Sequence, residues 1–223
     1  MVFFDAGGTL FDVAEPVGNT YATLAQRFNQ KVEPELLQLN FLTAFKQMPP
    51  LAFDPKMSEK DLSESEYQWW FQLVSNVFSE RGEFKKFEGF FAAAYAHYAQ
   101  PQAWKLFDDV VPTLKILQKK RIKMGVISNF DSRLFGLLEG FGLKKYFDSV
   151  HISSRVGFAK PHPEIFLTAL RANKINPSEA VHIGDHPVED YSAALQAGMS
   201  GWLIECNRIK SGLSSFLENF SAK

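Results

Sequence analysis

Residues 1–12 run MVFFDAGGTLFD. Three consecutive apolar side chains, Val2, Phe3 and Phe4, mark a short strand with both faces covered, and Asp5 ends that strand with a carboxylate. The turn Gly7-Gly8-Thr9 follows at once. A charge beside a core raises the free energy of the fold unless something pairs with it or uses it, so Asp5 needs a reason to be there. Four later segments have the same form: MGVISN (124–129), SVHISS (149–154), AVHIGD (180–185) and GWLIE (201–205). Each is apolar or β-branched, too short for a helix, and closed by small or polar residues. Helical patterns separate most of them: PQAWKLFDDVVPTLKILQKKR (101–121) before the second strand, SRLFGLLEGFG (132–142) after it, and PEIFLTALRANK (163–174) and VEDYSAALQAG (188–198) on either side of the fourth. That alternation predicts an α/β fold with a parallel sheet covered on both faces.

More than a hundred residues separate the first strand from the second, far too many for one crossover, so an insertion is expected. The segment 15–99 reads as four helices: VGNTYATLAQRFNQ (17–30), PELLQLNFLTAFKQM (34–48), ESEYQWWFQLVSNVF (64–78) and KFEGFFAAAYAHY (86–98). The Pro/Asp/Lys-rich stretch PPLAFDPKMSEKD (49–61) is the connector at its centre. The expected organisation is a core of residues 1–14 and 100–223 carrying a helical cap of residues 15–99, inserted where open α/β sheets bind ligands and so suited to act as a lid. Trp69 and Trp70 are expected to pack within the cap rather than line its inner face.

Composition narrows the function. The 223 residues are 46% hydrophobic and 22% charged, with 24 Lys+Arg against 25 Asp+Glu, so the net charge is -1 and no basic stripe marks a nucleic-acid partner. Cys206 is the single cysteine, read as a small apolar strand residue in a reducing compartment. The most apolar run, FEGFFAAAYAHYA (87–99), is broken by Glu88 and His97, which excludes a membrane span there, and the protein is expected to be cytoplasmic.

The residues that end the strands carry the chemistry. Asp5 closes the first strand, Ser128 and Asn129 the second, and Asp185 the fourth, with Asp190 five residues on; Lys160 lies in the loop after the third. Strand ends of a parallel sheet share one edge, so carboxylates, a hydroxyl and an ammonium converge there. Singly, each has an ordinary reading as a cap, a turn or a solvated charge; together they point to phosphoryl transfer. Asp5 would attack phosphorus and hold the group as an acyl phosphate. Asp5 and Asp185, with a backbone carbonyl, are hard oxygen ligands suited to Mg²⁺, and Asp190 would support the metal. Amides of the Gly7-Gly8-Thr9 turn, with Ser128 and Lys160, would bind the phosphoryl oxygens.

Four motifs occur in a fixed order: D-x-x-G-T-L at Asp5, S-N at Ser128, K-P-x-P-x-I-F at Lys160 and G-D-x-x-x-x-D at Gly184. In this the whole chain resembles the haloacid dehalogenase superfamily, in the branch with a helical cap after the first strand; EYQWWFQLV is also similar to its rhythmically-expressed-gene-like members. The resemblance implies a Rossmann-like core and a Mg²⁺-dependent hydrolase of a small phosphorylated metabolite. It implies Asp5 as nucleophile, with Ser128 and Lys160 completing the catalytic set, and Gly8, Thr9, Ser128, Asn129 and Lys160 around the phosphate. Asp5, the Gly7 carbonyl, Asp185 and Asp190 would hold the metal.

One position departs from that pattern. Phosphatases of the superfamily carry a second Asp two residues after the nucleophile as general acid and base, and here Gly7 takes its place. Loss of such a group typically costs about 10² to 10⁴ in rate. Three readings stay open: a phosphohydrolase using a good leaving group or a substitute acid such as Asp12, Glu15 or His186; cleavage of a non-ester bond, as in a 2-haloacid dehalogenase or a phosphonate hydrolase, the latter needing a lysine such as Lys46, Lys56 or Lys60; or a weakly active phosphate-binding module.

Overall fold

Val2–Phe4 form β1, and the other four long apolar segments form strands beside it. In the computed structural model, which describes residues 1–79, 84–205 and 212–220, these are β1 (Val2–Phe4), β4 (Met124–Ser128), β5 (Ser149–Ile152), β6 (Val181–Gly184) and β7 (Ser200–Leu203). They make one sheet in the order β5-β4-β1-β6-β7, and all four pairings are parallel. Chain order runs outward from β1 to β5 on one side and then jumps to β6 on the other, so the direction of winding reverses beside β1. Phe4 is in register with Val126 on β4 and Ile183 on β6, which places Asp5, Ser128 and Asp185 within one residue of a common level at the carboxyl edge. A reversal point of this kind leaves a crevice outside the strand ends.

The described residues divide into two units. One comprises Met1–Asp12, Leu51–Lys56 and Leu106–Lys223, and contains the sheet; the other comprises Val13–Pro50 and Met57–Lys105, and is helical. In the sheet unit, α5 (Val110–Lys119), α6 (Arg133–Gly140), α7 (Ser153–Val156), α8 (Glu164–Asn173), α9 (Ala193–Gln196) and α10 (Leu213–Phe220) alternate with the strands. Phe3 and Ile127 pack with Ile165, Phe166, Ala169 and Leu170 of α8 and with Ala193 and Ala194 of α9 in one core layer. Small side chains on α9 let that helix lie close to the sheet. In the helical unit, α1 (Val17–Gln26), α2 (Pro34–Gln47), α3 (Glu59–Phe78) and α4 (Phe87–His97) enclose a core of rings, with Tyr21 edge-on to Phe90 at 5.9 Å between centroids.

Several local expectations are corrected. Two short strands, β2 (Phe11–Val13) and β3 (Trp104–Leu106), pair where the chain leaves the sheet unit and returns to it. With three residues each they are too short to show an alternation, and β3 interrupts the stretch 101–121 that reads as continuous helix. Helix α3 begins at Glu59, inside the connector, because the Ser58 hydroxyl accepts a hydrogen bond from the Asp61 N–H and caps it. The stretch 188–198 opens as a π-helical turn, Pro187–Ser192, before α9. Trp69 is buried with its indole N–H donating to the Pro49 carbonyl at 2.9 Å, while Trp70 is half-buried with its ring 6.4 Å from that of Phe45. Cys206 lies outside the described residues.

Candidate active site

The loop after β1 is a set of tight backbone turns. The amides of Thr9 and Leu10 fold back onto the Ala6 carbonyl at 3.2 and 2.7 Å, and Gly8 takes a φ of 75°. A Cβ at Gly8 would stand 2.5 Å from the Asp185 carboxylate, so glycine there admits both the left-handed backbone and the approach of Asp185. Thr9 is buried and turns its hydroxyl toward Asp185 at 3.4 Å. Gly7 is different: a Cβ built on it would meet no atom within 4 Å, and its φ lies outside the left-handed region.

Lys160 stands at the centre, 5% exposed. Its ammonium donates to Asp5 Oδ1 at 2.8 Å and to Asp190 Oδ1 at 2.5 Å. Asn129 holds the backbone beneath it at both ends: Asn129 Oδ1 accepts from the Lys160 N–H at 2.7 Å, and Asn129 Nδ2 donates to the Lys160 carbonyl at 2.9 Å and to Glu189 Oε2 at 3.1 Å. Both amide hydrogens of Asn129 are thereby engaged, and the side chain links the Lys160 loop to Glu189. Ser128 ends β4 at the same edge and is buried.

Asp190 is held from three sides. Beyond Lys160, His182 Nε2 lies 2.9 Å from the same Oδ1, and the His186 N–H donates to Oδ2 at 3.0 Å. The approach requires Gly184, where a Cβ would sit 2.1 Å from the Asp190 carboxyl carbon. His186 caps the π-helical turn, its Nδ1 accepting from the amides of Val188 and Glu189 at 3.3 and 3.0 Å. Sequence reasoning passes over His182 and Glu189. The available signal for His182 was a polar residue inside an otherwise apolar strand, VHIG.

Ligand atoms of Asp5, Asp185 and Asp190 lie within 4.8 Å of one another. Burial pushes the Asp5 carboxyl up to about 7; Lys160 opposes that shift, and the neighbouring Asp190 and Asp185 reinforce it. Burial alone would lower the Lys160 ammonium, but Asp5 and Asp190 outweigh it and hold the lysine charged. Burial likewise works against ionised Asp190, yet Lys160 and His182 keep its carboxyl well below the usual range. His182 is pushed down by burial. With all three carboxylates ionised against one ammonium, these four groups carry two net negative charges. The donor set is entirely hard oxygen, and a divalent cation such as Mg²⁺ fits both the ligands and the charge.

Residues 1–198 match the haloacid dehalogenase-like hydrolase family. Haloacid dehalogenase-like hydrolase domain-containing protein 3 of Bos taurus is 32% identical over 208 residues, covering 92% of this chain and 81% of that protein. Rhythmically expressed gene 2 protein of Drosophila melanogaster is 29% identical over 215 residues, covering 92% and 82%. Among solved structures, a 2-haloacid dehalogenase from Pseudomonas syringae has a TM-score of 0.66 at 23% identity, covering 99% of this chain and 97% of that one. A HAD phosphatase from Thermococcus onnurineus also has a TM-score of 0.66, at 21% identity, covering 100% and 98%. These two bear different activities on one fold, so the structural likeness speaks for the architecture and the sequence match for the kinship. The chain is a member of the haloacid dehalogenase-like hydrolase family.

Proposed function

We propose that this hydrolase is a Mg²⁺-dependent phosphohydrolase that passes a phosphoryl group from a small phosphorylated metabolite through Asp5, without a side-chain general acid at position 7. The observation that carries the reading is the convergence of Asp5, Asp185 and Asp190 within 4.8 Å of one another, with the Lys160 ammonium paired to Asp5 and Asp190. Displacement of a halide needs no cation, and such a reaction gives no reason to gather three carboxylates. Asp5 and Asp185, with the Gly7 carbonyl, would hold the cation, and Asp190 would support it. When bound, the cation supplies charge neutralisation that lets a carboxylate approach a phosphate.

The protein's own groups do the rest. Asp5 attacks phosphorus in line, forms the acyl phosphate and expels the leaving oxygen; water then attacks phosphorus and restores the carboxylate. Ser128 donates to a phosphoryl oxygen, and Lys160 balances the charge that develops as the bond to Asp5 forms. Gly7 offers the leaving oxygen no proton, so solvent must supply it, and leaving groups of low pKa are favoured.

Hydrolysis of a series of aryl and alkyl phosphates by the native protein and by Gly7→Asp tests this. The native rate is expected to fall steeply with leaving-group pKa. Because position 7 has free space and ordinary backbone, Gly7→Asp is expected to raise turnover of alkyl esters by about 10² or more, a gain of roughly 3 kcal/mol in barrier. Undiminished activity in a chelator, or indifference to Gly7→Asp, defeats the reading; release of halide from a 2-haloacid by the native protein would establish the dehalogenase alternative that the bare position 7 favours.

A further inference from the structure

His182 is a buried titratable group to which the proposed chemistry gives no part. It sits on β6 behind Asp190, is fully buried, and has the Phe166 ring edge-on at 5.1 Å. Its Nε2 lies 2.9 Å from Asp190 Oδ1, while its Nδ1 has no hydrogen-bond partner among the described residues. The tautomer follows from counting. A proton on Nδ1 would leave that N–H unpaired in the core and set the bare Nε2 lone pair against a carboxylate oxygen, two faults at once. A proton on Nε2 leaves only the Nδ1 lone pair unused.

We propose that His182 is a positioning residue for the reaction at Asp5: as a neutral imidazole donating Nε2–H to Asp190 Oδ1, it fixes the carboxylate that holds the Lys160 ammonium against Asp5. The assignment deepens the phosphohydrolase reading and rests on it. Asp190 Oδ1 then accepts from both Lys160 and His182, and Oδ2 accepts from the His186 amide. Most of the carboxylate's accepting capacity is spent on this frame, so in this chain Asp190 acts chiefly as a brace for the lysine, and Asp5 and Asp185 are the acids that face a cation. A neutral donor suits the place, since a second cation there would compete with Lys160 for Asp190.

The test pairs kinetics with a spectroscopic readout. In ¹⁵N-labelled protein, long-range ¹H–¹⁵N correlations are expected to place the His182 ring proton on Nε2. His182→Leu is expected to lower kcat on an aryl phosphate about tenfold or more with KM changed less than about twofold. His182→Gln, whose side-chain amide can present an N–H near the same point, is expected to recover most of the loss. A proton on Nδ1, a folded His182→Leu with native kcat, or a Gln variant no better than Leu overturns the proposal. If His182→Leu does not fold, His182→Asn, whose amide is too short to reach Asp190, takes its place against Gln. If the native protein hydrolyses no aryl phosphate, the phosphohydrolase reading fails, and the brace is judged from the ¹⁵N signal of the Lys160 ammonium. A shift in His182→Leu that His182→Gln reverses supports it; an unmoved signal overturns it.

Discussion

The two units bury opposite kinds of side chain. At the carboxyl edge of the sheet, Asp5, Lys160, His182 and Asp190 are withdrawn from solvent and tied into one hydrogen-bonded frame. In the helical unit the interior is a packing of rings around Tyr21, Phe78 and Phe90, while Leu39, Leu42 and Phe45 of α2 stay exposed. Buried charge is stable only when every partner is in place, whereas ring packing degrades gradually with volume. The sheet edge is therefore brittle and specific, and the helical unit is tolerant.

Removing one charge should break the comparison most sharply. Lys160→Met leaves Asp5 and Asp190 facing each other in a buried site, and we expect a loss of about 3–5 kcal/mol in stability by denaturant titration. The fraction that still folds should show turnover of an aryl phosphate reduced by about 10² or more. An equally buried ring gives the contrast. Phe90→Leu should lower stability by only about 1–2 kcal/mol, and Mg²⁺ affinity of the folded protein, read by calorimetry, should not change. A change in that affinity would show that the division between brittle and tolerant regions is drawn in the wrong place.

The smallest effect is in pH. Asp5 is raised from its ordinary 3.8 to about 7 by burial, so below about 7 a proton competes with the cation for this carboxylate. Mg²⁺ affinity should fall about tenfold per pH unit below that point and level off above it. The same shift acts on folding with a definite sign. Between pH 3.8 and about 7 the folded protein keeps a proton that the unfolded chain has released, so the stabilisation from Asp5 is complete at low pH and is lost as pH rises through about 7. Melting of the cation-free protein across that window, compared with Asp5→Asn, isolates the contribution.

The five strands of the main sheet and the residues at their ends were legible because a covered parallel strand writes itself as an apolar run closed by a polar residue. The family was legible because its motifs sit at those ends. What escaped the sequence has physical causes. β2 and β3 have three residues each, below the length at which a period of two can be recognised. The Ser58 cap is one side chain in a polar connector, where any of several residues had the right chemistry. The role of Asn129 depends on which loop its amide meets, and the Glu189 carboxylate enters through that same amide. His182 is apolar in its burial and polar in its single contact, a combination that no spacing rule encodes.

The contrast between positions 7 and 184 has a wider consequence. Glycine at 184 is locked, because any side chain would strike Asp190, whereas a side chain at 7 would enter open space. Glycine and aspartate codons differ by a single base. On the phosphohydrolase reading, a lineage carrying this scaffold can thus acquire or discard an acidic group beside Asp5 in one mutational step, retuning which esters it cleaves while every other part stays where it is.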